Sequence, residues 1–260
     1  MGEWIYNLPV AWMAIVVLAI TYAVTGCLYA LIMSAAKGER ARAFKALSAG
    51  MLSPLGIIYG LFVAFLASQV WSDFASAQAA VSREAGALRT VVLLSHGLPA
   101  GPATHLKGLV RRQIDEAATR EWPAMSRHSA TLTMVPSALA EALEFTFAFE
   151  PKTAGQATAQ REIVSALESA MDARRQRIIV SESTVNWVKW TSVLVQALCA
   201  LVAIAIVHSD NRASAAIALG IFATGVAVSI VLIASHSGPF SGQISVGPDL
   251  LLQVMPQGPP

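Results

Sequence analysis

The chain has 260 residues, of which 55% are hydrophobic and only 13% charged, and its formal net charge is +2. A soluble domain carries about 25% charged residues, so an ordinary globular composition is excluded. The small net charge, with no basic run interleaved with aromatics, excludes a nucleic-acid partner. The missing charge is concentrated in four segments, and that unevenness marks a polytopic membrane protein.

A bilayer core is crossed by about 20 apolar residues in helix. The first such span covers residues 10–34. Glu3 is the only charge ahead of it, and the uncharged stretch 8–36 is about twice the length of a secretion-signal core, so it reads as a retained helix. The second span covers 47–71 and is interrupted only by Pro54 near its start. The third covers 187–207, with Lys189 at its edge, where a long stem can snorkel to the interface. The fourth covers 213–235. All four are continuously apolar rather than alternating, which predicts helices and not barrel strands. Trp4, Tyr6, Trp12, Trp71, Trp187 and Trp190 lie near predicted span ends, where interface belts form. Cys27 and Cys199 fall inside spans and read as small buried hydrophobes, neither a disulfide framework nor a metal site. The loops 35–46 and 208–212 are short, and the second predicts an antiparallel hairpin of spans three and four.

The fold class is therefore all-α, with a helical soluble insert between spans two and three. Its predicted divisions are 1–71 (two spans), 72–186 (insert), 187–235 (two spans) and 236–260 (tail). No breaker interrupts 72–95, so span two is predicted to run on as one long helix to about Ser95. Leu106, Leu109, Val110, Ile114, Ala117 and Ala118 recur at helical spacing and predict one buried face. A short helix over 137–149 follows Pro136 and a Ser cap. A long helix over 156–183, with Ile163, Leu167, Ala170, Met171 and Ile178 inward, feeds span three almost without a break. The tail is rich in Gly and Pro, ends in Gly258-Pro259-Pro260, and is expected to be disordered.

Chemistry is sparsely signalled. No two of the five histidines, at 96, 105, 128, 208 and 236, sit at metal-ligand spacing on one helix. There is no phosphate loop and no nucleophile elbow. Intramembrane ionisable residues mark proton-coupled transporters and intramembrane proteases, and the spans hold none but peripheral Lys189. The expectation is no enzyme, no metal and no cofactor. Ser53, Ile57 and Leu61 recur every four residues and share one stripe of helix. Copies arranged around an axis would make that stripe an apolar ring of the kind that gates by dewetting. The plainer reading has it facing lipid or a neighbouring helix. Arg174, Arg175 and Arg177 lie close to span three, where cations pair with anionic headgroups. An anion-attracting vestibule is the less favoured reading of the same residues.

Pro54, Gly60, Phe62, Val63 and, at the far end, Trp71 make span two similar to the pore-lining second helix of the bestrophin channels. The segment 236–242, containing Pro239, Phe240 and Gly242, resembles the Pro-Phe-Gly stretch that follows their last helix. Clustered arginines ahead of Trp187 resemble the entry to span three in bacterial bestrophin-like proteins. The resemblance implies an apolar neck at Ser53, Ile57 and Leu61, supported by the residues around them. It further implies a homo-oligomer, expected to be a pentamer, that conducts ions, with small anions the first guess. Partners would be further copies of the chain, membrane lipids and the permeant ion. Only Asp249 is acidic after the motif, so no calcium clasp is implied. The resemblance places the chain in a plasma or inner membrane with its helical domain in the cytosol. Cation counting does not decide this: Lys37, Arg40, Arg42, Lys45 and Arg212 oppose Arg83, Arg89, Arg174, Arg175, Arg177 and Lys189. The alternative is a non-conducting scaffold or sensor whose helical domain recruits a partner.

Overall fold

The computed structural model describes residues 9–36, 49–132, 137–183 and 185–257. Trp4, Tyr6, Lys37, Arg40, Arg42, Lys45, Pro136 and the closing Gly258-Pro259-Pro260 lie outside the described residues. Within them all regular structure is helical: α1 (Val10–Ala35), α2 (Leu52–Ser95), α3 (Ala100–Glu116), α4 (Trp122–Ser126), α5 (Ser137–Ala148), α6 (Ala154–Ser181), α7 (Trp187–Val207), α8 (Arg212–His236) and α9 (Asp249–Gln253). A 3-10 turn, Ala49–Met51, leads into α2, and a π-helical turn, Ala117–Glu121, joins α3 to α4.

Two compact units form, one from residues 1–72 and 184–237, the other from 73–183 and 238–260. In the first, α1, the beginning of α2, α7 and α8 supply the four helices long and apolar enough to cross a membrane. α8 packs along α1 and α7. Its buried positions include Ala215, Ala223, Ala227 and Ala234, and those of α7 include Ala197, Ala200 and Ala205. Lipid gives helices no hydrophobic reason to associate, so small residues that let backbones approach are the means of packing. The turn between α7 and α8 is closed by Asn211, whose side chain accepts from the N–H groups of Ala213 and Ser214 at 3.0 and 3.2 Å. Asn186 caps α7 in the same manner, accepting from Val188 N–H at 3.0 Å. α6 ends at Ser181 and α7 begins at Trp187, against expected bounds of 183 and 187. Trp12, Trp71 and Trp187 are exposed, as belt residues should be, whereas Trp190 is buried against Met13, Val17, Leu66 and Ile230. Cys27 and Cys199 are exposed rather than packed inside the chain.

In the second unit the predicted inward residues Leu106, Leu109, Val110, Ile114, Ala117, Ile163, Leu167, Ala170 and Ile178 are buried. Ala118 and Met171 are only half-buried. The π turn has a local cause. Pro123 has no N–H for the Thr119 carbonyl, and the helix widens just ahead of it. The expectation of a disordered tail is corrected. Phe240, Val246 and Leu251 belong to the core of this unit, and Trp122 Nε1 donates to the Val246 carbonyl at 2.9 Å. Apolar residues spaced through a Gly/Pro-rich stretch were enough to anchor it.

Candidate pore-lining face

α2 begins at Leu52 and runs without interruption to Ser95. Pro54 falls in its first turn, where a missing N–H costs nothing. One side of its membrane portion is buried by Tyr59, Leu66 and Val70. Among the described residues the opposite side has no partner. Ser53 is exposed, and Ile57 and Leu61 are 66% and 56% exposed. The four-residue step continues one residue beyond the expected stripe, to Phe65, 67% exposed. The periodicity that picked out Ser53, Ile57 and Leu61 already contained Phe65 and could have found it.

Beside this bulky stripe, one residue earlier at each step, run Gly56, Gly60 and Ala64, all exposed. A Cβ built on Gly56 or Gly60 would meet nothing within 4 Å. Phe62 and Val63 are half-buried against the core of the unit, and Trp71 is exposed. Ile58 is 52% exposed, although Leu66, two four-residue steps on, is buried. At the other end of this segment Lys189 Nζ donates to Gln69 Oε1 at 2.5 Å, which ties α7 to α2.

The arginine cluster is not what its position suggested. Arg177 is wholly buried, its Nε 2.7 Å and Nη2 3.1 Å from the carboxylate of Glu84 on α2. Nη2 also donates to Glu121 at 2.7 Å, and its guanidinium lies 4.4 Å over the Trp122 ring. Arg174 pairs with Glu121 at 2.7 Å and is buried as well. Neither arginine can meet a lipid headgroup, and the headgroup reading of these two residues is corrected. Two cations and two anions balance inside the unit, because an unpaired buried charge would be strongly destabilising. Only Arg175 is exposed, 3.5 Å from Asp172.

Burial opposes ionisation of Glu121, but Arg177 and then Arg174 outweigh it and hold its pKa below the ordinary carboxylate value. Burial opposes the charge on Arg177 too, and the adjoining Glu84 outweighs it and keeps the guanidinium charged. At Glu84 burial is the stronger influence and pushes the carboxyl up against the pull of Arg177. A depressed carboxylate contributes stability above its unfolded pKa and loses it as pH falls through the folded value. Melting of the second unit should therefore shift to lower temperature as pH drops below about 4. Glu121→Gln should melt lower at pH 7 and show a flatter acid slope. Glu84 is displaced the other way, so the acid-side loss belongs to Glu121.

The post-α8 motif is also structural. Pro239 accepts from Val246 N–H at 2.8 Å, Phe240 meets Trp122 edge-on at 5.9 Å, and Gly242 has a φ of 81°, which suits glycine.

A family model described as a bestrophin-like domain matches residues 19–251. Among curated protein sequences none matches. A crystal structure of a bacterial bestrophin homologue from Klebsiella pneumoniae superposes with a TM-score of 0.71 at 13% identity, covering 93% of this chain and 99% of that one. A mutant of the Klebsiella pneumoniae homologue gives 0.70 at 14% identity over 92% and 97%. A further crystal structure of a membrane protein gives 0.71 at 13% identity over 92% and 99%. At these identities the likeness establishes a shared fold. The matched segment takes in most of α1, all of α2 to α8 and the tail that closes the second unit, so this integral membrane protein belongs to the bestrophin-like family.

Proposed function

We propose that the chain forms a ring of identical subunits, with five the expected number, and that α2 lines an ion-conducting pore on its axis. One observation carries the reading. The long helix keeps a bulky apolar stripe and a small-residue stripe side by side, both exposed among the described residues. Around an axis, Gly56, Gly60 and Ala64 let neighbouring copies of α2 approach closely. Ile57, Leu61 and Phe65 then point inward as stacked apolar rings, and Ser53 places a hydroxyl ring at the entrance. Such rings hold water poorly, and widening them opens the path. Pro54, Gly60, Phe62, Val63 and Trp71 hold the helix around them, and Pro239, Phe240 and Gly242 hold the tail. No ionisable side chain lines the stripe, so ring size and field set selectivity, with small anions the first candidates.

The test is ion flux from liposomes holding purified protein. Passage of chloride or a larger halide, with a reversal potential that follows the anion gradient, supports the reading. A ring-shaped particle that passes no ion under any gradient favours a membrane scaffold whose helical unit recruits a partner.

A further inference from the structure

The second unit carries an open groove of about 650 Å³ between the extension of α2 and α6. Its floor is made of short side chains, among them Gly86, Thr90, Ser165 and Ser169, and a Cβ added at Gly86 would meet nothing within 4 Å. Along the α6 rim stand Glu162 and Asp172, and on the α2 rim Arg83. Asp172 is matched by Arg175 at 3.5 Å. Glu162 is exposed and makes no ion pair among the described residues. Arg89, also exposed, makes none either. Arg89 follows Arg83 by six residues, which leaves the two about 120° apart around the helix at 3.6 residues per turn. The groove therefore occupies one edge of the exposed face of α2, and an unmatched cation occupies the other.

We propose that this groove receives the Arg89 edge of α2 from a second copy of the chain, and that Arg89 pairs with Glu162 across the contact. The inference rests on the ring reading and names the surface that would hold the ring together. The shallow floor lets a helix come close, as small residues do at helix contacts. Groove and matching charge lie on opposite edges of one helix face, so every copy offers both halves. A contact of this head-to-tail kind repeats by one rotation and closes into a ring when the rotation divides the circle. A symmetric dimer could also pair each Arg89 with Glu162 of the other copy, but it stops at two copies, so particle mass separates it from a ring.

The experiment is charge exchange in full-length protein, read by native mass or light scattering of the detergent-solubilised particle. Arg89→Glu and Glu162→Arg should each weaken assembly at least about tenfold, because like charges then face one another. The double variant should restore it. An oligomeric parent whose assembly ignores both reversals overturns the groove assignment and leaves the ring reading standing. A parent that is monomeric overturns the ring reading itself. Should a reversal impair folding, Arg89→Cys with Glu162→Cys, in a background with Cys27 and Cys199 replaced by Ala, gives a second measurement. Mild oxidation should yield a ladder of covalent copies, and its absence from an oligomeric sample overturns the proposal.

Discussion

Replacing Arg177 with Met should destabilise the helical unit by about 3–5 kcal/mol, the cost of removing one partner from a buried ion pair. The side chain is completely buried and makes two contacts to Glu84 and one to Glu121. Its removal leaves Glu84, also fully buried, without a cation. Domain stabilities of about 5–15 kcal/mol make a loss of this size visible as a large drop in melting temperature. Arg177→Lys should recover little, because an ammonium cannot span both carboxylate oxygens as the guanidinium fork does. The diagnostic comparison is Glu84→Met with Arg177→Met. Removing both charges leaves Arg174 to balance Glu121, so the double variant should melt above the single one. If the double melts below it, Glu84 is held by something other than Arg177 and the account of the cluster is wrong. Thermal unfolding of the detergent-solubilised protein, followed by tryptophan fluorescence, reads this through Trp122, which the Arg177 guanidinium covers.

Truncating the bulky stripe on α2 should have the opposite character, a large effect on flux with little on folding. Ile57, Leu61 and Phe65 are each more than half exposed, so Ala at all three should leave the fold in place. If they ring a pore, the variant hydrates it, and each 1.4 kcal/mol taken from the barrier raises the leak about tenfold. Leu66, on the buried side of the same turn of helix, is the control. Leu66→Ala should cost about 2–5 kcal/mol of stability by analogy with soluble cores and change flux little in the protein that still folds. Equal behaviour of the two variants in both assays would remove the neck from α2. Ile58 is unsuited as a control, because it is half-exposed.

The membrane helices were legible because their signal is length and unbroken apolarity, and both survive any tertiary context. Trp187–Val207 was expected at those residues, and the neighbouring helix Arg212–His236 exceeds its expected span by one residue at each end. The buried face of α3 was equally plain in its spacing. The charge cluster was not. Arg174 and Arg177 look like any juxtamembrane cations until a fold brings Glu84 and Glu121 to them across 93 and 53 residues of sequence. One local clue was present: Glu84 stands among Ala77, Ala80, Val81, Leu88 and Val91 on the apolar side of its helix, a position no acid occupies without a partner. The tail was misjudged because Gly and Pro content speaks to backbone freedom, while Phe240, Val246 and Leu251 decided its fate by burial. Phe65 was overlooked because the stripe was stopped at the third residue of a pattern that continues.

That tail has a consequence for how the protein is made. The helical unit is drawn from residues 73–183 and 238–260, so its last pieces leave the ribosome after both final membrane helices. Glu84 is synthesised long before Arg177, and Trp122 waits for the carbonyl of Val246, which comes 124 residues later. Until then the nascent unit exposes an indole and the apolar seat of Phe240 and Leu251. A chain cut short between residues 238 and 245 therefore has all four membrane helices but leaves this part of the helical unit uncovered.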